Sequence, residues 1–279
     1  MQATMWIKIG NQPEIDVEDI TPDLEYLSES SSPAIANTYT DNAGVDGSQY
    51  NYSVFGRNVV TANFLLHFST WYSFELAKHD IYRIFSTKQV IRIRTDSSPA
   101  VVKYVRSAPF EIKPISDGSH DATFSIPFEN PSGYFYSLYN SDVAKTYEQE
   151  AWQLGMNLPN GQDLQYNFVN QSQFRVYNAS DIMVDPYMQR HELKIIIKHS
   201  GGAFGIENKT TGDLYRFNGS MDSNDTLMID GINTYKNNAL ADNQTNYSYL
   251  TLAAGWNDIR IIGATDLDIT FSFPFIYLG

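Results

Sequence analysis

Residues 58–68, NVVTANFLLHF, and residues 73–86, SFELAKHDIYRIFS, decide the class of fold. In the first stretch, apolar side chains occupy every second position from Val60 to Phe68, which is the period of a half-buried β-strand. In the second, apolar residues recur at three- or four-residue spacing, so one stripe of a helix is buried. Ser73 is expected to cap that helix at its N-terminus.

Most of the other periodic segments are short and alternate like strands. We expect strands at 3–9, 89–95, 100–107 and 121–128, and in the second half at 173–178, 192–198, 203–207, 213–217, 226–230, 247–252, 258–262 and 267–277. Turn-forming clusters of Gly, Asn, Asp and Thr separate them. One further short helix is expected at 141–155. The chain is therefore predicted to be all-β with one or two short helices.

Length and spacing divide the chain into three parts. A chain of 279 residues exceeds the usual size of a single core. We expect a first β-sandwich domain at 1–140, a connecting helix or linker at 141–156, and a second β-sandwich domain at 157–279.

The charge and composition exclude several classes of function. The net charge of −13 disfavours nucleic-acid and anionic-membrane partners. The absence of Cys excludes disulfides and thiolate sites. No apolar run approaches the length of a membrane span, and the first residues do not resemble a secretion signal. We expect no membrane insertion.

No catalytic or metal-binding pattern is present. The five histidines, His67, His79, His120, His191 and His199, lack the spacing of a metal pair. A nucleophile elbow and a phosphate-binding glycine loop are also absent from the sequence. The sequence thus predicts no enzyme, no cofactor and no metal site.

Charges separate along the first domain. Residues 14–29 carry seven acids and no base, and residues 83–113 carry seven bases against two acids. One interpretation is pairing within the chain or solvated faces. The other is a contact in which the acids of one subunit meet the bases of the next, closing a ring. The candidate residues are Asp16, Glu18, Asp19, Arg83, Arg92, Arg94, Lys103 and Arg106. Because Arg92 and Arg94 alternate with apolar residues, one strand face is expected to be cationic, and reversing both to Glu is expected to weaken the ring.

Several stretches together resemble the distal tail proteins of long-tailed phages. They are the Gly44-Val45-Asp46-Gly47 turn, Phe55-Gly56-Arg57 with strand 58–68, the helix at 73–86 leading to Lys103-Tyr104-Val105, Phe124–Phe128 with Asn130-Pro131 and Tyr134-Phe135, and, in the second half, Ile206-Glu207-Asn208, Thr210–Asp213, Leu227–Asp230 and Gly255–Ile259. They occur in the family's order over most of the chain.

The resemblance implies a fold and a role. It implies an N-terminal β-sandwich with one helix and a projecting arm, followed by a galectin-like β-sandwich. Residues 28–56 are polar and rich in Ser, Asn and Gly, a composition that itself predicts a long loop or hairpin arm rather than core. They would be the arm, with Gly44, Asp46 and Gly47 in it. The implied role is a structural hub of the tail tip or baseplate, a hexameric ring in the virion, assembled in the bacterial cytoplasm. The implied partners are copies of the chain itself, the tail tube protein, the tail-associated lysin or tip protein, and receptor-binding proteins.

A carbohydrate-binding protein is the alternative. A galectin-like sandwich with exposed aromatic side chains stacks sugar rings, and Trp152, Trp256, Tyr247 and Tyr249 are candidates. The competing interpretation places Trp256 in the core, and a fold alone does not establish a function.

Overall fold

A computed structural model of the chain describes residues 3–143 and 152–278. The chain forms two compact units, the first comprising Met1–Phe135 with Leu278–Gly279 and the second Tyr136–Tyr277. Among the described residues, no helix is long and apolar enough to cross a membrane.

The first unit combines nine strands with one α-helix. The strands are β1 (Met5–Ile9), β2 (Ile15–Asp16), β3 (Leu24–Ser30), β4 (Ile35–Asp41), β5 (Ser48–Phe55), β6 (Asn58–His67), β7 (Ile91–Thr95), β8 (Ser98–Ser107) and β9 (Asp121–Asn130), and the helix is α1 (Trp71–Phe85). A short 3-10 turn spans Val17–Ile20.

Seven of these strands follow the order β2-β1-β7-β8-β9-β6-β3, all antiparallel. β8 changes partner along its length: it pairs with β7 as far as Val105, and Arg106 and Ser107 pair with β9. The sheet therefore turns at the end of β8 and forms two layers. The predicted sandwich with one helix is confirmed.

The helix begins two residues before the predicted segment. The hydroxyl of Thr70, not that of Ser73, caps it, accepting a hydrogen bond from the Ser73 amide at 3.1 Å. The Ser73 hydroxyl in turn accepts a hydrogen bond from the Thr70 amide at 3.1 Å, completing a capping box. The sequence favoured Ser73 because both residues are good caps and Trp71 and Tyr72, which lie between them, do not belong to the buried stripe.

Aromatic side chains fix the helix to the sheet. Phe64, in the centre of β6, stacks on Phe124 of β9 with ring centroids 5.4 Å apart. Phe85 of the helix packs against Phe64 at 6.3 Å and against Phe128 at 5.7 Å. These rings are almost fully buried, and each contributes through area and ring geometry.

The second unit is a β-sandwich of two sheets. Its strands are β10 (Phe135–Asn140), β11 (Asn167–Val169), β12 (Gln173–Asn178), β13 (Lys194–Lys198), β14 (Phe204–Asn208), β15 (Asp213–Phe217), β16 (Leu227–Asp230), β17 (Asn233–Lys236), β18 (Ala239–Leu240), β19 (Gly255–Ile262), β20 (Asp268–Ser272) and β21 (Pro274–Tyr277). One sheet has the order β11-β20-β13-β16-β17-β18, the other β12-β19-β14-β15, and β10 pairs with β21.

The strand predicted at 247–252 is wrong. That segment has no strand, and its Leu252 makes only an isolated bridge. Side chains take the place of a neighbouring strand: Asn208 donates to the Thr251 carbonyl at 2.8 Å, and Asp213 accepts from the Thr251 amide at 2.8 Å. Leu250 and Leu252 are buried, but the backbone groups of the segment are satisfied without a strand partner.

The second helix predicted at 141–155 falls largely on residues 144–151, which lie outside the described residues.

Candidate assembly surfaces

A hairpin arm leaves the first unit between β3 and β6. β4 and β5 pair only with each other, as a separate two-stranded sheet. At its base, the Gly56 amide donates to the Ala34 carbonyl at 2.7 Å, and Phe55 packs on Tyr134 with centroids 5.7 Å apart. The projecting arm predicted for this segment is confirmed.

The tip of the arm contains the predicted turn residues. Gly44 and Gly47 have φ angles of 80° and 83°, in the left-handed region that glycine adopts without strain. Asp46 lies between them on an exposed turn. The Ser48 hydroxyl donates to Asp41 at 2.6 Å and closes the last pair of the hairpin.

Both faces of the arm expose apolar side chains. On one face lie Ile35 and the tyrosine pair Tyr39–Tyr50, whose ring centroids are 6.0 Å apart. On the other lie Tyr52 and Val54. All five are more than half exposed. A two-stranded hairpin is marginally stable alone, so an arm of this composition favours contact with another surface.

A second exposed apolar surface lies at the start of α1. Trp71, Tyr72 and Leu76 are exposed by 59%, 82% and 60%. Trp71 is fixed from below by Phe74, at a centroid separation of 5.6 Å. The apolar periodicity that predicts the helix does not reveal this surface, because it marks only the buried stripe. An aromatic pair just after the cap was the available signal.

The charges predicted to join subunits are largely paired within the chain. Glu14 lies between two arginines: Arg92 donates to it at 2.7 Å, and Arg94 donates through Nε and Nη2 at 3.1 and 2.8 Å. The Arg94 guanidinium also lies 4.4 Å from the Trp6 ring centroid and donates to the Pro99 carbonyl. Glu14 therefore covers part of the strand face that was expected to be cationic and offsets one of its two arginine charges.

The electrostatics of this cluster follow from its geometry. Burial alone would raise the pKa of Glu14, but hydrogen bonds from Arg94 and Arg92, together with their charges, outweigh it and hold that pKa below its usual value. The carboxylate is therefore ionised at neutral pH. The cluster fixes the segment before β2 to β7.

A second internal pair joins β3 to β8. Lys103 is 4% exposed, donates a hydrogen bond to Glu29 and lies 4.8 Å from the centroid of the Phe135 ring. Burial lowers the pKa of Lys103, and the adjacent Glu29 offsets part of that effect. For this pair too, the structure supports pairing within the chain.

The remaining predicted interface residues lie at or near the surface. Asp16 accepts a hydrogen bond from the Glu18 amide, Glu18 accepts one from the Tyr26 amide of β3, and Asp19 is exposed. Arg83 pairs with Asp80 at 3.1 Å, and Arg106 donates to the Lys88 carbonyl. A subunit contact through these residues stays a prediction.

The two predicted tryptophans differ in exposure. Trp152 is 2% exposed and packs on Phe275 at a centroid distance of 5.9 Å, so its burial corrects the prediction that it stacks on a sugar. Trp256 is partly exposed rather than in the core, and Arg175 lies over its ring at 4.4 Å while Tyr177 meets it edge-on at 4.9 Å. Sugar stacking on Trp256 stays a prediction.

Residues 11–130 match the family model described as the phage tail protein RIFT-related domain. The match covers 120 of the 279 residues. It includes the arm, α1 and strands β2 to β9. The resemblance to distal tail proteins drawn from the sequence is confirmed. The sequence matches none of the curated proteins.

Two solved structures extend the comparison over the whole chain. The phage SPP1 Dit protein, described as a paradigm of the hub adsorption apparatus in phages that infect Gram-positive bacteria, has a TM-score of 0.67 and 10% identity, covering 97% of this chain and 99% of that one. The activated baseplate of phage p2 gives a TM-score of 0.46 and 10% identity over 98% and 97% of the two chains. The SPP1 likeness shows that the tail domain and the second sandwich together have a distal tail protein fold.

Proposed function

We propose that the chain is a structural hub subunit of a phage tail tip. Copies of it close into a ring of six that links the tail tube to a tail-associated lysin or tip protein and to receptor-binding proteins. The observation that carries this proposal is the hairpin arm, which exposes apolar side chains on both faces within a phage tail domain. The SPP1 protein with the same fold is described as a hub.

The arm is long enough to reach a neighbour. Its eight-residue strand β5 extends about 27 Å at roughly 3.4 Å per residue. When the exposed apolar side chains on both faces of the arm are buried against another surface, the water around them is released, which is favourable. Since the arm makes its ladder only with itself, a surface on another molecule is the natural place for that burial.

A ring also needs a second, different surface on each copy, because a head-to-tail contact joins unlike patches. The exposed group Trp71, Tyr72 and Leu76 on α1 meets this need. In the proposed contact, the arm of one subunit covers α1 of the next. Ring closure then multiplies each moderate contact by the number of subunits.

Within this arrangement, the domain of residues 1–140 builds the ring. The domain of residues 157–279 holds the neighbouring tail proteins, and residues 141–156 connect the two. The hub is a virion component of the tail tip, assembled in the host cytoplasm before release. It works by binding and not by catalysis. The described residues contain no group of three or more His, Asp or Glu that could hold a metal ion.

Native mass spectrometry of two surface variants tests the proposal. The arm variant carries Tyr52→Ser and Val54→Ser, and the helix variant carries Tyr72→Ser and Leu76→Ser. All four side chains are more than half exposed, so each fold is expected to survive. The control is Leu240→Ser, a similarly exposed apolar residue of the second unit.

The wild type and the control are expected to give a closed oligomer, and each variant alone a monomer. Mixing the two variants leaves one intact junction, the arm of the helix variant on the helix of the arm variant. The mixture should therefore stop at a heterodimer. A ring that survives both substitutions contradicts the proposed contact, and so does a mixture that stays monomeric.

A further inference from the structure

A cleft in the second unit is lined by three tyrosines. Tyr187, Tyr247 and Tyr249 border an open space of about 500 Å³, which is also lined by Ile232 and by the polar residues Asn233, Asp242 and Thr245. This volume falls within the range of about 300–1,000 Å³ typical of small-ligand sites. The cleft belongs to the second unit, whereas the arm and α1 belong to the first.

Two of these rings are presented to solvent. Tyr247 is 76% exposed and Tyr187 is 56% exposed. Tyr187 stacks on Tyr249, with ring centroids 5.2 Å apart and planes at 29°. The result is an aromatic wall with open ring surface.

The backbone at Tyr247 is strained in order to hold its ring outward. Its φ angle is 56°, in the left-handed region that a bulky side chain rarely adopts and that costs on the order of 1 kcal/mol. The exposed ring buries too little surface to offset that cost within the chain. Strain of this kind concentrates at ligand sites, where binding makes use of the fixed geometry.

The loops around the cleft are held rigidly. Asn246 exchanges hydrogen bonds with β15, accepting from the Arg216 amide and donating to the Leu214 carbonyl, both at 2.9 Å. On the opposite side, Asp185 accepts from the amides of Tyr187 and Met188, also at 2.9 Å. The aromatic wall is therefore preorganised, which lowers the entropy lost when a ligand binds.

The polar groups decide between ligand classes. Asp242 uses Oδ1 to accept from the Thr234 amide at 2.6 Å, and its carboxylate supplies only acceptors. Sugar hydroxyls donate to such a group, whereas a proline-rich peptide offers carbonyl acceptors and few donors. Burial, followed by the charges of Asp185 and Asp213, raises the pKa of Tyr249. The Tyr249 hydroxyl therefore stays a donor, and the two carboxylates make the region acidic. An anionic ligand is disfavoured.

We infer that this cleft binds an uncharged carbohydrate, with a sugar ring stacked on Tyr247 and Tyr187 and its hydroxyls hydrogen-bonded to Asp242 and Asn233. The site includes Tyr247 and Tyr249, which the sequence suggested, and excludes the two tryptophans; it requires neither the arm nor a ring. It gives the hub subunit a recognition function for uncharged glycans in addition to its assembly contacts.

Binding to defined probes tests the inference. The full chain is screened against uncharged oligosaccharides of glucose, galactose and N-acetylglucosamine, with a glycerol-phosphate polymer and a polyproline peptide as the alternatives. Affinity for the best sugar is then measured by calorimetry for Tyr247→Ala and Tyr187→Ala. Tyr139→Ala, a 46% exposed tyrosine outside the cleft, is the control.

We expect millimolar or tighter binding of at least one uncharged oligosaccharide, about a tenfold loss in each cleft variant, and no loss in the control. Far-ultraviolet circular dichroism of each variant verifies that the sandwich is intact. The inference is overturned by an absence of sugar binding, by sugar binding that survives both substitutions, or by preferential binding of the polyanion or the proline peptide.

Discussion

Replacing Glu14 with Gln is expected to destabilise the first unit more than any exposed charge replacement would. The substitution keeps the shape of the side chain and removes the charge between Arg92 and Arg94. The three side chains are only 10–22% exposed, so solvent screens them weakly. The two cations would remain close together without their shared anion.

The magnitude follows from the extent of burial. Breaking a fully buried ion pair costs about 3–5 kcal/mol, and an exposed one about 0–1 kcal/mol. This cluster is largely but not fully buried, and Gln keeps one oxygen acceptor. We therefore expect a loss of roughly 2–3 kcal/mol. The matched control is Glu75→Gln, in an exposed pair with Lys78 at 3.4 Å, expected to cost less than about 0.5 kcal/mol.

Native-state hydrogen exchange measures the loss where it arises. The slowest amides of β7 in the first unit should exchange roughly 30- to 150-fold faster in the Glu14→Gln variant. This factor is the expected loss of about 2–3 kcal/mol in unfolding free energy, expressed as a rate. Amides of β13 in the second unit give an internal reference that should not change.

The effect should also depend on pH. The pKa of Glu14 is lowered in the folded chain from its usual 4.5. Its stabilisation is therefore complete above pH 4.5 and is lost as the pH falls through the lowered folded value. The gap between wild type and variant should shrink as the pH falls below 4.5. A cost equal to that of Glu75→Gln, or a gap that does not change with pH, would refute the reasoning.

Three further predictions concern other parts of the first unit. Lys103→Ala leaves Glu29 buried without its cation and should cost about 3 kcal/mol or more, whereas Lys103→Met combined with Glu29→Leu should recover most of that loss in urea unfolding. Gly133→Ala should be strongly destabilising in thermal unfolding, because φ is 71° and the added Cβ would lie 2.3 Å from the Gly56 carbonyl oxygen. Its control is Gly118→Ala, where φ is 77° but the space around the residue is open, and which should cost only about 1 kcal/mol. Thr70→Ala removes the helix cap and should cost about 1 kcal/mol of stability, measured by thermal unfolding.

The elements that the sequence predicted correctly are those with a long periodic pattern of apolar residues. The strand at 58–68 and the helix at 73–86 were found within a few residues, because each shows its period over ten or more positions. The segment 247–252 failed because its backbone is satisfied by the side chains of Asn208 and Asp213, distant contacts that no local pattern records.

The candidate site was predicted less well. Opposite charges such as those of Glu14 and Arg94, 80 residues apart, are equally compatible with a contact inside the chain and with one between chains, so composition alone left both interpretations open. Exposure was the other missing quantity. Trp152 and Tyr247 are both aromatic in the sequence, yet one is 2% and the other 76% exposed. The arm was found because its polar, glycine-containing composition is itself unsuited to a core.

Site-specific photo-crosslinking can show whether the arm of one copy packs on α1 of another. A photoreactive amino acid replaces Tyr52, and isotopically light and heavy chains are mixed in equal amounts. We expect crosslinks between light and heavy chains that map to the Trp71–Phe85 helix. Crosslinks confined to single chains, or crosslinks between chains that map elsewhere, would contradict it.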